Sequence, residues 1–287
     1  MAFPIRQLNS RDFPPLLKEI PDKPHSLFIR GDMPSKDCTF LCVVGSRATS
    51  PYGRRVCQQL IAGLAQYKVA IVSGMALGID SEAHKTALDV GLPTIAVLPS
   101  SCDDSSIYPS TNKPLAERIL VRGGALISEE KGPHKAMIHD FPKRNRISAG
   151  MCHAALIIEA GEKSGTLITA RLALDYNREV LAIPHELGRE TGAGVNRLIR
   201  EGATLVRTAD DILQALGIKP LDNPRQAALP TDLTEVEARV LHALTEALVR
   251  DELIERAELS AQEANVALSS LLIRGLLTER LGKIERV

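Results

Sequence analysis

Between Phe141 and Gly150 the chain reads FPKRNRISAG, which places one aromatic ring, three cations (Lys143, Arg144 and Arg146) and the amide of Asn145 close together. An aromatic face can stack on a nucleobase while ammonium and guanidinium groups neutralise phosphates, so a segment holding both points to nucleic acid. The bland alternatives are a core ring for Phe141 beside Pro142 and a structural ion pair for Arg146, for instance to Glu159.

Three glycine-bearing loops could serve the same chemistry. They are Gly45-Ser46-Arg47, the run from Gly74 through Gly78 to Asp80, and the run Gly161 to Thr166, which includes Ser164 and Gly165. Glycine lets the backbone approach a ligand closely, and the free N–H groups of a following helix attract anions. Two familiar phosphate motifs fail on spacing. The dinucleotide fingerprint G-x-G-x-x-G is missing after the first apolar run, where only Gly45 and Gly53 stand, and Lys163 precedes Ser164 and Gly165 where the Walker pattern needs a glycine followed by lysine. No cofactor is expected. Asp80 reads as a cap for a helix beginning at Ser81.

Each of these loops follows a short apolar run. FLCVVG (Phe40 to Gly45), VAIVSG (Val69 to Gly74), TIAVLP (Thr94 to Pro99), ALIS (Ala125 to Ser128), AALIIEA (Ala154 to Ala160) and EVLAIP (Glu179 to Pro184) read as buried strands, most of them separated by helix-sized segments. The first such helix opens on Ser50-Pro51, a cap followed by proline, and Val56, Leu60, Ile61 and Leu64 keep helical spacing. The pattern predicts an α/β fold: a mostly parallel sheet with helices on both faces and ligands outside the carboxyl ends of its strands.

The whole chain sets the bounds. Its 287 residues suggest about two domains. Apolar residues make up 44% and charged residues 24%, an ordinary globular composition. Lys plus Arg and Asp plus Glu both count 35, so any positive surface must be local. No signal-like or membrane-spanning run is present, and a cytoplasmic location is expected. The five cysteines fit reduced, buried thiols, and Cys38 and Cys42 have neither CxxC spacing nor a nearby histidine, so no metal ligand is assigned.

Taken in order, VVGSRATSPYG, VSGMALGIDSEAH, TIAVLP, IYPSTN, GALISE, FPKRNRISAG, EAGEKSGTLITARLAL, REVLAIP and GVNRLIREGA resemble the DNA-processing protein A (DprA, or Smf) family. The resemblance covers most of the chain. It implies an extended Rossmann-like domain that binds single-stranded DNA without known catalysis. It also implies a homodimer that protects incoming strands, relieves exclusion by single-strand-binding protein and loads a RecA-type recombinase, notably in natural transformation. Carried over by motif, Gly45, Ser46 and Arg47 would meet backbone phosphate, as would Gly74 and Gly78 of the second loop and Ser164, Gly165 and Thr166. Phe141 would stack on a base, Lys143, Arg144 and Arg146 would add cations, and Asn145 would bond a base edge or the local backbone.

The chain departs from the family pattern at Leu77, where an arginine is usual, and at PSSCDD and PHELG, where Ser101-Cys102 and His185 replace small residues. His185 reads either as an ordinary loop histidine or as a pH-sensitive phosphate contact. An alternative in the same fold family is the Lonely-guy type of nucleoside-monophosphate phosphoribohydrolase, whose glutamate position holds Thr169 here; a nucleotide-sensing scaffold is a third reading.

The expected domains are residues 1–217, with 1–38 as an extension packed on the sheet, a proline-bearing linker at 218–231, and a winged helix-turn-helix at 232–287. Thr234 with Glu237 and Ser260 with Glu263 form capping-box patterns, and the chain closes on a hairpin-like LLTERLGKIERV. The candidate reading helix offers a single arginine at its far end, and acidic residues outnumber basic ones beyond Pro230, which favours a protein-contact module over a duplex reader.

Overall fold

A computed structural model describes residues 3–219, 233–244, 248–274, 276–280 and 282–286. The chain divides into two compact units, Met1–Pro220 and Leu221–Val287. Most of the expected linker lies outside the described residues; Ile218, near its start, packs against the core of the first unit.

The first unit opens with β1 (Ile5–Leu8), α1 (Pro15–Glu19) and β2 (Leu27–Gly31). Next come β3 (Thr39–Val44), α2 (Pro51–Ala62), β4 (Val69–Ser73), α3 (Ile79–Asp89), β5 (Thr94–Val97), α4 (Lys113–Val121) and β6 (Ala125–Ser128). It continues with α5 (Asp140–Gly150), β7 (Ala154–Ile157), α6 (Thr166–Asp175), β8 (Glu179–Ala182), α7 (Ala193–Arg200), β9 (Thr204–Leu205) and α8 (Ala209–Ala215).

One sheet carries all nine strands in the order β1-β2-β6-β5-β4-β3-β7-β8-β9. From β6 to β9 every pairing is parallel, whereas β2 joins β6 and β1 joins β2 antiparallel. The parallel strands are continuous apolar runs because both faces are covered. Alternate residues of β3 show it: Leu41 and Val43 enter a core with Leu60 and Ile61 of α2, while Cys42 and Val44 enter another with Ile147 of α5 and Ala170 of α6. All five cysteines are free, and Cys42, Cys57, Cys102 and Cys152 are buried.

Helix α2 starts as its sequence dictates. Pro51 occupies the first turn and the Ser50 hydroxyl accepts from the Gly53 N–H at 3.0 Å. The amino-terminal segment extends the sheet edge, and Ile20, just beyond α1, lies against α5 so closely that a Cβ at Gly150 would come within 2.8 Å of it.

The second unit holds α9 (Glu235–Ala243), β10 (Leu248–Val249), α10 (Arg250–Arg256), α11 (Ala261–Ile273), β11 (Leu277–Arg280) and β12 (Lys283–Arg286), with its strands antiparallel in the order β10-β12-β11. Both capping boxes form at the expected helix starts. Among the described residues, no helix is long and apolar enough to cross a membrane.

Candidate nucleic-acid interface

The sheet has a topological switch point between β3 and β7. From β3 the chain winds outward through α2 to β4, whereas from β7 it winds the other way through α6 to β8. The loops leaving these adjacent parallel strands therefore diverge, and a crevice opens at their carboxyl ends. Helix α5 returns the chain from β6 at one side of the parallel array to β7 beside β3, carrying Phe141 to Gly150 across the mouth of that crevice. Pro142 is tolerated because it falls in the helix's first turn.

A cleft of about 480 Å³ occupies this position. Gly45, Ser46 and Arg47 line one side, Ser164, Gly165 and Thr166 another, and Phe141, Arg144 and Asn145 a third. Two loops are tied together: the Thr166 hydroxyl donates to the Gly45 carbonyl at 3.1 Å, and the start of α6 faces the cleft. That helix end offers positive potential to an anion. Phe141 is half-buried, with the exposed Arg47 guanidinium 5.0 Å above its ring and Tyr108 edge-on at 5.7 Å. The ring is a wall of the cleft and not core packing beside Pro142.

Arg144 is 7% exposed, and among the described residues it makes no hydrogen bond or ion pair within 4 Å; its Nε is buried without a partner. The carboxylate that offsets its charge is Asp80, itself 5% exposed, which accepts from the Gly74 and Ala76 N–H groups at 3.1 and 3.3 Å. Burial pushes the Asp80 carboxyl up, opposed by Arg144 and by those amides. Burial also lowers Arg144, opposed by Asp80, yet arginine starts high enough to remain a cation. A buried cation with unused donors at a cleft wall is poised for an incoming anion.

Gly74 and Gly78, expected to meet phosphate, do not line the cleft; they build the wall behind it. A Cβ at Gly74 would fall 1.6 Å from Arg144 Nη1, and Gly78, at φ +79°, would drive a Cβ to within 2.2 Å of the Ser46 carbonyl oxygen. Lys143 and Arg146, expected in the same pocket, point elsewhere. Lys143 donates to Glu130 at 2.9 Å, a bond that raises its pKa, and Arg146 forks onto both Glu129 oxygens at 2.6 Å and also reaches the Asp22 carbonyl. The ion-pair alternative for Arg146 is thus realised with Glu129, not Glu159. Glu159 is fully buried and takes up Thr49 and Ser50 instead.

Other expectations change as well. Asp80 does not cap a helix at Ser81; α3 starts at Ile79, and the carboxylate turns back on its own loop. His185 is a structural group, because its Nε2 donates to the Ile158 carbonyl at 2.7 Å and its backbone N–H donates to Asn196. Leu77 stands half-exposed where the cation is missing. Thr169 does line the cleft, and Asp80 is the single carboxylate among the residues lining it. Sequence reasoning missed Asp80 as the charge that offsets Arg144, and it missed the apolar rim of Tyr108, Ile138 and Ile168; Ile138 is 91% exposed, and no periodicity marks any of the three.

Comparison with known proteins bears on this geometry. The family model described as DNA recombination-mediator protein A matches residues 5–217. The chain belongs to this family. It is 41% identical to Protein Smf of Escherichia coli over 208 residues, 72% of this chain and 55% of that protein, and 39% identical to DNA processing protein DprA of Streptococcus pneumoniae, over 74% of this chain and 73% of that one. The match thus spans about half the length of the longer curated relatives. Among solved structures, the S. pneumoniae DprA superposes with a TM-score of 0.68 at 37% identity, covering 74% of each chain. DprA of Helicobacter pylori, described for its single-stranded DNA binding mode, gives 0.66 at 28% identity over 75% of this chain and 96% of that one.

Proposed function

We propose that the first unit of this family member binds single-stranded DNA in the switch-point cleft and acts as a recombination mediator. The observation that carries the reading is Arg144, a buried cation with unused donors, set beside a half-buried aromatic ring under the Arg47 guanidinium. A backbone phosphate would take the Arg144 donors, the start of α6 and Ser164 to Thr166 would hold a neighbouring one, and an unstacked base would lie against Phe141. Asn145 would bond a base edge or the sugar-phosphate backbone. Duplex DNA keeps its base faces stacked, so it cannot use Phe141 or the Ile138 and Ile168 rim in this way.

Protection of incoming strands, relief of exclusion by single-strand-binding protein, loading of a RecA-type recombinase, homodimer formation and service in transformation are the finer parts of the proposal, and they rest on family membership. The chain acts without catalysis in this reading. The hydrolase alternative is disfavoured by Thr169 and by Asp80, whose carboxylate is taken up by loop amides. The second unit, read as a winged helix, serves as a protein-contact module; its net acidic sequence beyond Pro230 opposes the phosphate field.

The test is competition between single-stranded and duplex oligonucleotides of equal length for the full chain, read by fluorescence anisotropy. Preference for the single strand supports the proposal, and equal or stronger duplex binding contradicts it.

A further inference from the structure

Close to the cleft, but outside it, Glu130, His134 and Asp140 converge so that one donor atom of each lies within 4.8 Å of the others. His134 Nε2 is 2.8 Å from one Asp140 oxygen and His139 Nε2 is 3.4 Å from the other, so two imidazoles bracket a carboxylate that is itself 5% exposed. The Met137 N–H donates to Asp140 at 2.8 Å and fixes its orientation. A small separate cavity of about 10 Å³ adjoins, with Glu129, Glu130, Asp140, Lys143 and Arg144 in its lining. That is about the room of one water or ion. The DNA-binding proposal uses neither the imidazoles nor these carboxylates.

The charges narrow what would bind. Glu129 is paired with Arg146 and Glu130 with Lys143, which leaves Asp140 between two imidazoles, with Arg144 also in the lining of the small cavity. Arg144 opposes a cation there, but Asp80 offsets its charge. Imidazole nitrogens combined with carboxylate oxygens suit a borderline transition ion at about 2.0–2.2 Å, whereas calcium and magnesium favour oxygen alone.

We propose that Glu130, His134 and Asp140, with a water in the fourth position, form a site for a divalent ion of the zinc class at the start of α5. The ion enters between His134 Nε2 and Asp140, replacing the proton that now joins them. Lys143, whose side chain is 46% exposed, swings off Glu130 to free its oxygen. The ion then fastens the 131–139 loop to the helix turn that carries Phe141.

The experiment titrates the untagged full chain with Zn2+ by calorimetry and with Co2+ by visible absorption, for wild type, His134→Gln and Glu130→Gln. The expected result is one ion per chain, a tetrahedral-type Co2+ spectrum without a thiolate charge-transfer band, and affinity at least tenfold weaker in both variants. Zinc should raise the melting temperature of the wild type and leave that of His134→Gln in place, although without metal the two melt alike. Should His134→Gln fail to fold, Glu130→Gln, altered at a partly exposed side chain, carries the comparison. Unchanged zinc affinity in the folded variants, or a thiolate band, would overturn the proposal.

Discussion

Arg144 fills the space that a side chain at position 74 would need: a Cβ built on Gly74 would lie 1.6 Å from Nη1 of Arg144. The glycine of one loop and the cation of α5 are therefore a matched pair. Gly74→Ala should expel the guanidinium from its buried seat while leaving the Gly45–Arg47 and Ser164–Thr166 loops in place. We expect single-strand affinity to fall by about tenfold, or roughly 1.4 kcal/mol, in a protein that still melts cooperatively. Fluorescence anisotropy with a labelled oligonucleotide measures the loss, and circular dichroism verifies the fold.

Phe141 contributes a face and no charge. Phe141→Ala should weaken single-strand binding by about 1–3 kcal/mol while leaving the dependence on salt unaltered, since no phosphate contact is lost. Phe141→Trp should restore most of the affinity. Salt titrations of the three proteins check both expectations; a shallower slope in the alanine variant would reassign the residue.

Lys143 and Arg146 should separate from Arg47 and Arg144 in their effects. The Lys143–Glu130 pair is partly exposed, so Lys143→Ala should change affinity by no more than about twofold. Arg146 and Glu129 are 14% and 13% exposed, and removing one partner strands the other. Arg146→Ala should therefore cost stability, roughly 3 kcal/mol, more than it costs binding measured on the remaining folded protein. Denaturant unfolding and anisotropy run in parallel distinguish the two losses.

His84 gives the first unit a pH dependence. It is fully buried, and because the Thr94 hydroxyl donates to the Ile71 carbonyl at 3.0 Å, His84 Nδ1 must donate to Thr94 Oγ1 at 2.7 Å. Its Nε2 then sits buried without a partner. Burial, with help from the Arg144 charge, lowers its pKa from 6.5 to about 3. A depressed folded-state value means that the unfolded chain takes up the proton first. The stabilising contribution is complete above pH 6.5 and is lost as pH falls toward 3, at about 1.4 kcal/mol per pH unit from this group. Urea unfolding between pH 7 and pH 5 should show the slope, and His84→Leu should flatten it.

The parts of this molecule that were legible in its sequence are those where one local pattern has one structural meaning. Continuous Val, Ile, Leu and Ala runs gave β3 to β8, with ends shorter by up to three residues, because strands covered on both faces need apolar side chains throughout. The capping boxes at Thr234 and Ser260 were legible for the same reason. Strands β1, β2 and β9 were not. β1 is mostly exposed and carries Arg6 and Gln7, and β9 is two exposed residues held by pairing to β8. Within FPKRNRISAG the composition grouped one ring, three cations and an amide, and helical geometry divided the group. Phe141, Arg144 and Asn145 line the cleft, and Lys143 and Arg146 lie on the side that meets Glu130 and Glu129. That division depends on where α5 starts and on how the β6–α5 loop folds back to bring Glu129 and Glu130 to the helix, neither of which a local pattern encodes.

The most direct test of the account is the salt dependence of single-strand affinity in wild type and Arg47→Ala. Arg47 is exposed, so its removal leaves the core untouched, and its guanidinium stands over Phe141 at the cleft. We predict that wild-type affinity falls steeply and log-linearly with salt, and that Arg47→Ala binds more weakly with a slope shallower by about 0.7, the value for one lost single-strand phosphate contact. A flat wild-type slope, or an Arg47→Ala titration that overlays the wild type, would contradict the assignment of this cleft as the single-strand DNA site.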